Sequence, residues 1–144
     1  MWAKNKQHGF TIVELLIVIV VIGVLASISI VAYSGVQSKA RDTVRSNDIA
    51  QVKKAIELYY VDNGSYPTVG TDNAGYALSS LSTALVPKYM AKLPVNPLVG
   101  INNYYYVRGT VVSNSFGLLV PYETKTQCHM GTNNTVGWWG LASC

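Results

Sequence analysis

The sequence predicts an α+β protein in which one long N-terminal helix packs on a small antiparallel β-sheet head. Three observations carry that expectation. An apolar run extends from Phe10 to Ala32, an amphipathic pattern continues it to Asn63, and aromatic and β-branched runs cluster between Tyr104 and Tyr122. A chain of 144 residues has room for one domain plus one long element. Its 49% apolar and 12% charged residues are too apolar for a fully solvated protein and too polar for one with several spans. One membrane segment with a soluble head is therefore expected.

Residues 1–9 read as a short basic leader, with Lys4, Lys6 and His8. The run FTIVELLIVIVVIGVLASISIVA, residues 10–32, is long enough at ~1.5 Å per residue to cross a ~30 Å hydrocarbon core as a helix. Its many Ile and Val residues weaken a helix in water, but in lipid each backbone group needs an internal partner, so a helix is required. The lysines ahead of the run place residues 1–9 in the cytoplasm and the head outside. A secretory signal cut after Ala26, at Val24-Leu25-Ala26, is the competing reading.

Glu14 does not suit a secretory signal, because a carboxylate inside an apolar span is costly and wants a cation. No Lys or Arg occurs between Lys6 and Lys39, so the cation must come from another molecule. Cleavage after Gly9 would create one, the amine of Phe10. A helix advanced along its neighbour would bring that amine to Glu14 of the next copy, and burying the two charges together costs far less than burying each alone.

The run HGFTIVELLIVIVVIGVLASIS, His8–Ser29, closely resembles the class III signal and N-terminal helix of type IV pilins and type II secretion pseudopilins. The shared features are a short basic leader, Gly before the cut, Phe first and Glu fifth in the mature chain, and a continuous apolar stretch. The resemblance implies a pilin-like fold, cleavage between Gly9 and Phe10, N-methylation of Phe10 by a prepilin peptidase, and filament assembly with Glu14 setting the register. Copies of the same chain, other pilins and an inner-membrane assembly platform are the implied partners. The subunit would wait in the inner membrane before entering a periplasmic or extracellular filament. One departure is Val31, where many type IV pilins carry a helix-breaking Pro; here no Pro precedes Pro67. Gly23, Ser27 and Ser29 are small enough for close helix packing.

Residues 33–63 continue the helix as its amphipathic half, with Val36, Ala40, Val44, Ile49, Val52, Ile56 and Tyr59 or Tyr60 as the apolar stripe. Arg41, Asp42, Arg45, Asp48, Lys53, Lys54 and Glu57 fill the polar positions, and Asp62-Asn63-Gly64 supplies a stop. Residues 64–144 form the head. NGSYPT, Asn63–Thr68, is a turn cluster, and YYVDNGSYPT, Tyr59–Thr68, also resembles pseudopilins. A short helix is expected over Ala77–Leu85, then a Pro-containing loop LPVNPLVG, Leu93–Gly100. Tyr104–Arg108, Thr110–Ser113 and Phe116–Tyr122 read as strands of a small antiparallel sheet, and residues 123–144 as loop.

Cys128 and Cys144 sit in no zinc-type spacing and read as a disulfide that would stabilise an exported head by roughly 3 kcal/mol. Major pseudopilins bind calcium through carboxylates, but after Asp72 this chain has only Glu123, so no cofactor is expected. The formal charge of +4 falls to +2 once Lys4 and Lys6 are set aside, and the remaining cations are interleaved with seven acids rather than gathered into a phosphate groove. Trp138, Trp139 and Tyr104–Tyr106 are expected to fill the core; an adhesin or DNA-binding tip subunit is the rival that would use them. No G-x-S-x-G, H-E-x-x-H or P-loop is present, and no catalytic residue is assigned. The reading is a non-enzymatic pilus-like filament subunit, with a type II secretion pseudopilin as the alternative.

Overall fold

A computed structural model describes residues 9–98, 103–109, 114–132 and 141–144. The chain divides into two units, Met1–Gln37 and Ser38–Cys144, and each is taken by itself. Helix α1, Ile12–Asn63, contributes to both and is continuous through position 31. In the first unit every side chain from Phe10 to Ile30 is exposed. The hydroxyls of Ser27 and Ser29 turn back to the carbonyls of Val24 and Leu25, at 2.7 and 2.9 Å, so neither is left needing water.

In the second unit α1 ends where the sequence places its stop. Gly64 adopts φ +69°, the left-handed conformation that costs glycine little, and its N–H donates to Tyr60 O at 2.8 Å. The Asn63 amide donates to Tyr59 O at 2.8 Å, so a second terminal carbonyl is satisfied. Strand β1, Tyr76–Ala77, then runs into a 3₁₀ turn, Leu78–Leu81, and a single-turn helix α2, Ser82–Leu85. The expected helix over Ala77–Leu85 is thus split in two, and its first residue belongs to a strand.

Strands β2, Tyr105–Gly109, β3, Ser115–Val120, and β4, Cys128–Gly131, complete an antiparallel sheet in the order β1-β2-β3-β4. The segment 123–144, expected to be loop, therefore contributes a strand: Val120 pairs with Cys128 and Gly117 with Gly131. A side chain at Gly131 would strike the backbone of Phe116, so only glycine allows β4 to lie this close. The expected strand Thr110–Ser113 and the pair Trp138-Trp139 lie outside the described residues.

Ile49, Val52 and Ile56 of α1 share one core with Leu78, Leu81, Leu85, Tyr104, Tyr106, Phe116, Leu118 and Val120. Each such side chain, fully buried, contributes about 1.5–3 kcal/mol of transfer free energy. The stripe differs from its expected course at its N-terminal end. Val36 and Val44 are exposed, whereas Asp42 and Arg45, expected on the solvated face, are buried with 6% and 2% of their surface accessible.

Candidate functional site

The sequence-predicted site begins at Gly9, Phe10 and Glu14, all exposed in the first unit. Thr11 precedes the first helical residue, and Glu14 is the third residue of α1. The Glu14 carboxylate accepts the Thr11 N–H at 2.9 Å and the Thr11 hydroxyl at 2.7 Å, while Glu14 N–H donates to Thr11 Oγ1 at 3.2 Å. This is a capping box, in which two otherwise unpaired donors at the helix start are satisfied reciprocally. The negative charge also faces the positive end of the helix dipole. Glu14 thus has a partner inside its own chain, which reading it only for charge overlooked; the Thr-x-x-Glu spacing was the signal. One Glu14 oxygen, Oε2, takes both Thr11 bonds, and the carboxylate has acceptor capacity left for an amine from elsewhere.

The second unit brings together charges that the sequence had scattered. Arg45 donates to Asp42 Oδ1 at 2.6 Å and to Asn96 Oδ1 at 3.1 Å, and a terminal nitrogen lies 2.7 Å from Glu123 Oε1. Arg41 grips both oxygens of Glu123 in a fork, at 2.8 and 2.6 Å. Asp42 in turn accepts the N–H groups of Glu123 and Thr124, each at 2.9 Å, and the Thr124 hydroxyl at 2.7 Å. Burial alone would raise the Asp42 carboxyl, but these bonds outweigh it and hold it at about 2. Arg41 first, then Arg45, holds the Glu123 carboxyl at about 2 against its partial burial. The cluster fixes the turn after β3 to α1 where apolar packing gives out.

Arg108 makes a second fork, to Asp72 at 2.6 and 2.9 Å, and binds the Thr68 hydroxyl at 2.7 Å, which pins the loop after α1 to β2. Tyr104 and Tyr106 are buried and spend their hydroxyls internally, on Asp48 at 3.1 Å and on Pro67 O at 2.8 Å. They are core residues, as expected, and only Tyr105 of that run is exposed.

Cys128 and Cys144 are joined by a disulfide with their Cα atoms 5.0 Å apart. The same terminal segment adds backbone bonds to β4, from His129 N–H to Ala142 O at 3.1 Å and from Cys144 N–H to His129 O at 3.0 Å. Asp72 and Glu123 are each held by arginine, and the described residues contain no group of three or more metal-ligating side chains.

Comparison with known proteins accords with this geometry. Residues 4–30 match the family model for the prokaryotic N-terminal methylation motif, and residues 32–120 match that for the type II secretion system, protein G. The chain is similar to the type II secretion system core protein G of Escherichia coli (strain K12), 31% identical over 99% of this chain and 97% of that protein. It is 34% identical to the core protein G of Vibrio cholerae serotype O1 over 98% and 97% of the two chains. Fimbrial protein EcpC of Eikenella corrodens is 31% identical, over 91% of this chain and 78% of its own. No solved structure matches the chain at the same level of significance.

Proposed function

Because the chain belongs to the type II secretion system protein G family, we propose that this pilin-like structural subunit builds the filament of a secretion apparatus. Its precursor is cleaved between Gly9 and Phe10, methylated on Phe10, and held in the inner membrane by residues 10–32 with the head outside. It then polymerises through the same helix with other copies and other pseudopilins. The chain's work is assembly, with no bond-making chemistry of its own.

One observation carries the reading: a fully exposed apolar helix begins with an acid at the fifth position of the mature chain. Such a helix needs lipid before assembly and other helices after it, since an apolar surface of this extent is not left in water. Glu14 meets the Phe10 amine of a neighbour, and Thr11 keeps the carboxylate aimed while the subunit waits.

Family naming favours secretion, whereas similarity to a fimbrial protein keeps a surface pilus as the alternative. Deleting the gene in its native host separates them. The proposal expects secreted proteins to accumulate in the periplasm; unaffected secretion with loss of surface fibres would favour the pilus.

A further inference from the structure

We propose that Cys144 is the site at which a thiol–disulfide oxidoreductase, acting on the folded head, closes the Cys128–Cys144 bond, and that Cys128 is the thiol that completes the exchange. The two cysteines differ in access. Cys128 keeps 8% of its surface accessible, whereas Cys144 is exposed. The sheet is the cause. Cys128 pairs with Val120 and Met130 with Leu118, so both lie on the face of β4 that Val120 and Leu118 turn to the core. All of these pairs are with β3, which places Cys128 without help from the disulfide. Cys144 arrives along the other side of β4. His129 donates its N–H to Ala142 O at 3.1 Å and accepts Cys144 N–H at 3.0 Å, with Ser143 as its parallel partner. These bonds straddle Ser143 and set Cys144 beside Cys128, with the Cα atoms 5.0 Å apart, within the span a disulfide bridges.

Access and placement fix the order of the exchange. The Cys144 thiolate attacks one sulfur of the oxidant's disulfide; that S–S bond breaks, one oxidant sulfur leaves as a thiolate, and a mixed disulfide forms on Cys144. The Cys128 thiolate then attacks Cys144 Sγ, which forms the internal bond and expels the oxidant's second sulfur. The chain loses two electrons and two protons, and the oxidant's disulfide gains them as a dithiol. The opposite order would require a macromolecule to engage a sulfur on the covered face of β4. The reaction therefore follows folding of the head. An oxidising compartment comes from the export of the head proposed above, on which the oxidoreductase rests; the order of attack rests on the fold alone.

The test uses the full chain in detergent, with glutathione as the probe. Brief treatment of the oxidised chain with reduced glutathione, followed by alkylation and peptide mapping, should place glutathione on Cys144 and the alkyl group on Cys128. Glutathione on Cys128, or on both alike, overturns the proposal. Single variants, each with one thiol, give the rates with oxidised glutathione. Cys128→Ser is expected to react at Cys144 about tenfold or more faster than Cys144→Ser reacts at Cys128, and the two rates should converge in concentrated urea, where no fold protects either sulfur. Equal rates in the folded chains, or a difference that persists in urea, overturn the proposal. Both cysteines recovered reduced from the native host would overturn export of the head and the oxidoreductase with it, a result distinct from a reversed order of attack on the purified chain.

Discussion

Arg45 and Asp42 form a salt bridge at 2.6 Å with almost no surface exposed, at the point on α1 where the apolar stripe stops. Glu123 closes the other side of the guanidinium at 2.7 Å. Removing one partner from such a group strands the others. Arg45→Met should destabilise the head by about 3 kcal/mol, read by urea denaturation of the full chain in detergent. A change below about 0.5 kcal/mol would show that the cluster behaves as an ordinary surface pair.

Acid should act through the same residues. Asp42 and Glu123 both titrate at about 2 in the folded chain, against ordinary values of 3.8 and 4.5. A carboxyl lowered by folding stabilises fully above its unfolded value and loses that contribution as pH falls through its folded one. Stability should therefore be flat above about pH 5 and decline from there toward pH 2. Asp42→Asn should start lower and decline less steeply, as followed by thermal melts across that range.

Core packing sets a third expectation. Ile56 is fully buried against the sheet, so Ile56→Ala should cost about 2–4 kcal/mol through lost transfer energy and a residual cavity. Val61→Ala, at an exposed position of the same helix, should stay within about 0.5 kcal/mol.

The disulfide closes a loop with a sequence separation of 16 and ties the terminal segment to β4. Replacing both cysteines by serine should lower stability by roughly 3 kcal/mol. Hydrogen exchange should show protection lost first at the amides of His129 and Cys144, because their bonds lie within that tie.

One substitution separates the two tasks assigned to Glu14. Gln can still accept the Thr11 bonds but carries no charge. Glu14→Gln should preserve membrane insertion and cleavage yet reduce filament yield roughly tenfold or more, the cost of leaving an amine unpaired in the helix bundle. Normal yield from this variant would sink the charge pairing.

The parts of the fold legible in the sequence are those written in composition and period. The apolar run from Phe10, the stop at Asn63-Gly64 and the aromatic strands around Tyr106 and Phe116 each carry a repeated local signal. Strand β4 escaped because Cys-His-Met-Gly lacks β-branched and aromatic residues, and only pairing with Gly117–Val120 makes it a strand. Asp42 and Arg45 escaped because a periodicity reading counts apolar positions, whereas here a turn 81 and 82 residues beyond Asp42 supplies the hydrogen bonds that offset the burial of charge. At the N-terminus the role of Glu14 was read from its charge, and the Thr11 bonds that orient it were written in the Thr-x-x-Glu spacing, which a reading of charge alone passes over.

Cleavage and methylation at one bond underlie the whole account, so the intact mass and N-terminal sequence of the mature protein from its native host test it most directly. The account predicts a chain that begins at N-methylated Phe10 and retains the Cys128–Cys144 bond. A start at Ser27 would mean a secreted soluble head, and an intact Met1 an uncleaved anchor with no free amine for Glu14; either would contradict it.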